Sequence, residues 1–282
     1  MNYRHAFHAG NFADVFKHTI LIGLLDALMQ KPAPMHYFDT HAGAGRYDLR
    51  GDEASRTGEY SEGVLRLVGV TDPPPALRRY FDLLDSINDG AALPEMRVYP
   101  GSPLIAACLL RAGDRATLCE LQPEEAALLR TLFARDARIG VHQRDGYAAL
   151  AAMLPPKERR GLVLIDPPFE TQNAEFRSIE TALGNACARW PTGCYAVWYP
   201  IKQREQTRPF HRWFAGTGMK KVLVAELLRQ PDDSPLRLNG CGMIIVNPPW
   251  QFDLQLEALL PILHRHLSLG GGSWRVQWLA RD

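Results

Sequence analysis

One tetrapeptide combines residue types that have a joint chemical use: Asp166-Pro167-Pro168-Phe169. It follows the apolar run Gly161-Leu162-Val163-Leu164-Ile165, which reads as a buried parallel strand. The prolines stop that strand and fix the backbone around them, since proline locks its own φ and restricts the residue before it. A carboxylate (Asp166), a carbonyl acceptor (Pro167) and an aromatic face (Phe169) are thus presented together at the carboxyl end of a strand, where open α/β sheets bind ligands. Two acceptors and a stacking surface suit the exocyclic amino group of a nucleobase. A second motif, Asn247-Pro248-Pro249-Trp250, follows the apolar run Met243 to Val246. It falls too late in the strand order to face the same crevice, and reads as a strand end with a packed tryptophan.

Three other features precede the tetrapeptide, each just after a predicted strand. Phe38-Asp39-Thr40-His41-Ala42-Gly43-Ala44-Gly45 is a strand running into a Gly-x-Gly turn, where Gly43 and Gly45 let the backbone approach a ligand closely. The turn lacks the third glycine of a dinucleotide fingerprint, which counts against a nicotinamide enzyme. Glu120 ends the next strand, where a carboxylate suits the two hydroxyls of a ribose. Asp145-Gly146 ends the third, where an aspartate suits an adenine amino group. Each has an ordinary structural reading as a turn or strand end. Together they define one crevice at the carboxyl ends of successive strands.

The elements needed to carry these residues can be read from periodicity. Asn11 is a helix N-cap with Asp14 in the first turn, and an apolar face runs to about Gln30. Strands are expected at Met35–Asp39, Thr117–Cys119, Gly140–His142, Leu162–Ile165, Tyr195–Trp198, Lys221–Glu226 and Met243–Val246, alternating with helices. That order predicts an α/β, Rossmann-like, mostly parallel sheet with helices on both faces. The short connection Pro231 to Gly240 predicts a hairpin and an antiparallel last strand. Residues 50–95 turn polar and carry the run Pro73-Pro74-Pro75; they read as a small helical subdomain inserted into a main domain of residues 1–49 and 96–282.

Composition bounds the rest. The chain has 282 residues, 46% of them apolar, enough for a sizeable core. Its formal charge is +1, so any nucleic-acid contact must be local: Arg4 with Lys17, Arg46 and Arg50 with Arg56, or Lys202 with Arg204, Arg208 and Arg212. Five cysteines without Cys-x-x-Cys spacing read as buried free thiols in a reducing compartment. No signal peptide and no membrane span are evident, so a cytoplasmic protein is expected. His264 and His266 point apart on a helix, and no metal site is expected.

The four strand-end features, in this order, resemble a class I S-adenosylmethionine methyltransferase, and Asp166-Pro167-Pro168-Phe169 resembles the signature of enzymes that modify amino groups. Such a resemblance implies a seven-stranded sheet with its last strand antiparallel. Longer motifs narrow it. Tyr3-Arg4-His5-Ala6-Phe7-His8-Ala9-Gly10-Asn11-Phe12-Ala13-Asp14-Val15-Phe16-Lys17-His18, Asp39 to Tyr47, Thr57-Gly58-Glu59-Tyr60, Tyr99-Pro100-Gly101-Ser102-Pro103 and Trp198-Tyr199-Pro200 resemble the RlmJ family, in family order over nearly the whole chain. The resemblance implies methylation of N6 of an adenine in 23S rRNA; a monomer is expected, although the sequence leaves oligomeric state open. It implies cofactor contacts at His18, His41, Ser102, Glu120, Asp145, Gly146 and Asp166, besides the turn at Gly43 and Gly45. It also implies RNA or substrate-base roles for Tyr3, Arg4, His5 and Lys17. One residue departs from the family pattern: Phe169 stands where tyrosine is usual, keeping the stacking face and losing the hydroxyl. Guanine-N2 methylation of rRNA, adenine-N6 methylation of DNA, and a nucleic-acid-binding protein with a vestigial cofactor site are the competing readings.

Overall fold

In the computed structural model, residues 4–91, 93–235 and 238–281 are described. The chain enters through α1 (Phe12–Met29), whose N-cap Asn11 accepts a hydrogen bond from the Asp14 amide. A regular alternation then follows: β1 (His36–Asp39), β2 (Arg46–Asp48), α2 (Asp52–Thr57), α3 (Pro75–Ile87), β3 (Val98–Pro100) and α4 (Ser102–Leu109). Next come β4 (Arg115–Glu120), α5 (Pro123–Leu132), β5 (Ile139–Gln143), α6 (Gly146–Met153), β6 (Gly161–Ile165) and α7 (Gln172–Arg189). The chain closes with β7 (Cys194–Ile201), α8 (Arg204–Gly216), β8 (Val222–Leu228), β9 (Gly240–Val246), α9 (Phe252–Leu267) and β10 (Ser273–Ala280).

Eight strands form the main sheet in the order β10-β8-β9-β7-β6-β1-β4-β5. From β7 to β5 all neighbours are parallel. The order reverses at β1, with β6 on one side and β4 on the other, so this is the switch point where ligands enter such sheets. The expected hairpin forms between β8 and β9, but β9 lies inward, antiparallel to both β7 and β8. The sheet also has one strand more than expected. β10 pairs antiparallel with β8 and covers the edge.

Alternate residues of each strand enter two cores. Tyr37, Leu162, Leu164, Ala196 and Ala225 face α1, α4 and α9; Phe38, Val163, Ile165, Val197 and Val224 face α6, α7 and α8. This is a helix–sheet–helix sandwich of the class I methyltransferase type. The antiparallel pair β2–β3 brackets the segment that contains α2 and α3. The buried residues of that segment, Ala54, Val64, Leu67, Leu77 and Tyr80 among them, belong to the same core as α1. Four of the cysteines are buried or half-buried thiols, while Cys108, near the end of α4, is exposed. No helix among the described residues is long and apolar enough to cross a membrane.

Candidate active site

Three polar residues one helical turn apart give α1 a charged stripe although the helix is nearly all buried. Asp14, Lys17 and His18 occupy positions i, i+3 and i+4, so they share a face. The Lys17 Nζ lies 3.0 Å from Asp14 Oδ1 and 2.6 Å from Asp166 Oδ2, joining α1 to the end of β6. The other Asp14 oxygen takes the Gly10 amide and the His5 ring, each at 3.0 Å. Burial works against the Asp14 charge, but His5, Lys17 and His18 around it hold its carboxyl well below the usual range.

His18 is fully buried, and burial holds its imidazole neutral, with a pKa lowered to about 3. Tyr80, on α3, donates to the Tyr99 hydroxyl at 3.1 Å, and that hydroxyl lies 2.9 Å from His18 Nδ1. Tyr99 therefore donates onward to Nδ1, which leaves the proton of the neutral ring on Nε2. That Nε2 is buried and has no hydrogen-bond partner among the described residues.

The turn after β1 is built around close backbone approach. Gly43 (φ +62°) donates its amide to Glu120 Oε2 at 2.8 Å, and Gln122 donates to Oε1 at 2.7 Å. Glu120 thus braces the turn from the end of β4. Gly146 packs so closely on Thr40 that any Cβ would run into the Thr40 carbonyl oxygen. The side chain of Asp145 caps α6 by accepting from the Ala148 amide at 2.8 Å. Asp39, fully buried beneath the turn, accepts from Tyr37 and Ser102, both at 2.7 Å. Burial raises its pKa to about 6, against the pull of those two donors. His41 lies 2.8 Å from the Thr40 hydroxyl and packs edge-on against Tyr147; burial lowers its pKa to about 4.

Phe169 meets Phe176 and Trp198 edge to face, with centroids 5.6 and 5.7 Å away. The contacts fix the ring at the mouth of the β6 end. Sequence-predicted residues are therefore gathered from four strand ends and α1. Others have protein partners of their own, and His5 reaches the site only through Asp14. Arg4 forms ion pairs with Glu53 and Glu124 at 3.0 and 2.9 Å, His5 binds Asp14, and Arg204 reaches the buried Glu226 at 3.2 Å. Tyr3 lies outside the described residues. Asn247, the rival motif's polar residue, sits by the start of β7, at the opposite end of the sheet from Asp166. It donates to the Pro191 and Gly193 carbonyls, both at 2.8 Å, and Trp250 is 86% exposed rather than packed. His266 donates to the Arg66 carbonyl, and no cluster among the described residues is set to hold a metal ion.

The sequence motifs include Asp14, Asp39, Glu59 and Tyr99 but assign none of them a role in the site, and they do not reach Tyr80. Glu59 accepts from Asn11 and sits 3.0 Å from His8, tying the Thr57–Tyr60 motif to the N-terminal motif. The spacing of Asp14 ahead of Lys17 was a readable signal; the pairing of Tyr80 with Tyr99 was not.

Comparison with known proteins bears directly on this arrangement. A family model described as "Ribosomal RNA large subunit methyltransferase D, RlmJ" matches residues 32–280. The chain belongs to the RlmJ family. "Ribosomal RNA large subunit methyltransferase J" of Haemophilus influenzae is 43% identical over 283 residues, covering 100% of both chains. The Escherichia coli protein of the same name is 42% identical, again over 100% of both. A crystal structure of a Legionella pneumophila protein, 36% identical, superposes with a TM-score of 0.86 over 96% of this chain and 98% of that one. The RlmJ family uses S-adenosylmethionine as its methyl donor. Two observations fit that group here. His18 offers a buried N–H without an acceptor among the described residues, beside a carboxylate-lined crevice. The Gly43 turn brings bare backbone to the switch point.

Proposed function

We propose that this protein methylates N6 of an adenine in 23S rRNA. The carrying observation is the Asp14–Lys17–Asp166 chain, which holds one Asp166 oxygen at the β6 end while the Asp166 side chain stays 16% exposed. S-adenosylmethionine supplies an electrophilic methyl on a sulfonium. For its binding, Glu120 stands at the ribose position, Asp145 and Gly146 at the adenine, and His18, His41, Ser102, Gly43 and Gly45 along the remainder.

The amine of adenine is a weak nucleophile because its lone pair is delocalised into the ring. Asp166 and the Pro167 carbonyl each accept one amino hydrogen, which favours a more tetrahedral nitrogen with its lone pair turned toward the methyl. The gain is positional and electrostatic. With the cofactor bound, formation of the nitrogen–carbon bond would break the methyl–sulfur bond and leave a neutral thioether, and the proton of the resulting acidic nitrogen would pass to Asp166 or to water. Phe169 stacks on the base, which must leave its helix to reach the methyl; such stacking is worth about 1–3 kcal/mol. The Phe176 and Trp198 edges hold that ring without a hydroxyl. Lys17 sits close enough to Asp166 to serve substrate orientation, while Arg4 through its ion pairs and His5 through its contact with Asp14 shape the entrance. Segment 50–95 works as a helical insertion that grips RNA through Arg50 and Arg56. The enzyme acts as a cytoplasmic monomer.

The test is transfer of radiolabelled methyl from S-adenosylmethionine to protein-free 23S rRNA, with nucleoside analysis of the product. N6-methyladenosine is expected with the wild type, and a loss of at least about 10³-fold in kcat with Asp166→Ala. N2-methylguanosine, or full activity in Asp166→Ala, would overturn the proposal.

A further inference from the structure

Beside the Asp166–Phe169 loop lies a cleft that none of the residues above explains. Thr171, Gln172 and Asn173 at the start of α7 form one wall; Lys202, Gln206 and Pro209, from the β7–α8 turn and α8, form the other. It encloses about 460 Å³, within the range of small-ligand sites. Thr171 is two residues past Phe169, and Gln172 Nε2 donates to the Pro200 carbonyl at 3.4 Å. The catalytic loop and the end of β7 therefore share this wall.

The lining has a particular chemistry. Three carboxamides offer donors and acceptors together, as base edges require. Pro209 adds an apolar wall. Lys202, exposed, is the one charged residue among the described residues that line the cleft, and no carboxylate joins it. A cationic ligand matches this set poorly. A nucleotide matches it well, with its base against the amides and its phosphate against the ammonium. Sequence-specific contact with single-stranded RNA uses these groups on splayed bases. A target base lifted from its stack also loosens its neighbours, and the cleft begins two residues past Phe169.

We propose that this cleft binds the nucleotide flanking the methylated adenine, its base edge read by Gln172, Asn173 and Gln206 and its phosphate held by Lys202. The inference rests on the RNA-methylation reading above. Wild-type N6-methyladenosine formation on 23S rRNA tests that reading separately, and is measured first. RNA fragments containing the mapped adenine are then made with either neighbouring base removed to leave an abasic sugar. The Gln172→Ala/Gln206→Ala enzyme is expected to show KM for intact RNA raised about tenfold, with kcat and cofactor affinity unchanged. One abasic fragment should carry the same tenfold penalty with wild type and none with the double variant. Lys202→Ala should lower the slope of log affinity against log salt by about one. An unchanged KM in the double variant, penalties that simply multiply, or an unchanged salt slope would each overturn the assignment while leaving the methylation reading standing.

Discussion

Lys17 is the residue on which the site turns. It is 5% exposed and lies between two carboxylates, so its charge is compensated without water. Removing one member of a buried ion cluster costs more than the cluster contributes, because the partners stay buried and unpaired. Lys17→Met should therefore destabilise the protein by about 3 kcal/mol. It should also lower kcat about 10²-fold, since Asp166 loses the contact that fixes its rotamer. The two effects separate in Asp14→Asn/Lys17→Met, where one unpaired charge is gone. Denaturant unfolding should regain part of the stability while kcat stays low. If kcat recovers with stability, Lys17 acts on the fold alone and not on the geometry of Asp166.

At the scale of elements, the insertion is coupled to the cofactor side of the crevice by a run of hydroxyls. Tyr80 on α3 donates to Tyr99 on β3, and Tyr99 sets the proton position of His18 on α1. Tyr80→Phe removes the first donor and leaves Tyr99 free to turn its hydrogen elsewhere. A neutral hydrogen bond is worth about 1 kcal/mol net, so calorimetric affinity for S-adenosylmethionine should fall about fivefold. Equal affinity in the variant would mean that His18 needs no such help. Such cross-element links explain what could be read in the sequence. The strand ends at Asp39, Glu120, Asp145 and Asp166 were legible, because a buried strand must be apolar and must stop, and the residue after the stop stands out. The cap at Asn11 was legible for the same local reason. The pairing of Tyr80 with Tyr99 spans 19 residues and depends on tertiary packing, so no local pattern announces it. β10 was missed although Trp274, Val276 and Trp278 alternate with polar residues, and its place on the sheet edge comes from pairing with the distant β8. β2 and β3 have three residues each, too short for a period to emerge. The inward placement of β9 depends on which edge of the hairpin meets β7, which sequence spacing leaves undetermined.

The whole molecule carries several ionisable groups whose pKa values burial moves away from those in water, and this shapes the pH dependence of its stability. Burial holds His18 at about 3, and His41 and His211 at about 4, against 6.5 for an unperturbed histidine. The unfolded chain takes up these protons as pH falls through 6.5, and the folded chain does so only below about 4, so acid favours unfolding in that window. Asp39 acts in the opposite sense. Burial raises it to about 6 from 3.8, so the folded chain binds its proton first and recovers stability between those values. Among the groups shifted furthest, three histidines less one aspartate leave a net two protons, a contribution of about 3 kcal/mol per pH unit between pH 6 and 4. Below that range the depressed Asp14 adds to the loss, because its ion pairs vanish as it is protonated. Urea unfolding at pH 6.5, 5.5 and 4.5 should show the free energy falling along this slope. His211 offers an internal check, for it lies between Tyr199 and Glu226 in the α8 face of the sheet, away from the Asp14–Lys17–Asp166 chain. His211→Gln should reduce the slope by about 1.4 kcal/mol per pH unit. A slope unaltered by that replacement would place the acid sensitivity in other groups, and a flat profile in the wild type would mean that the buried histidines already carry their protons at neutral pH.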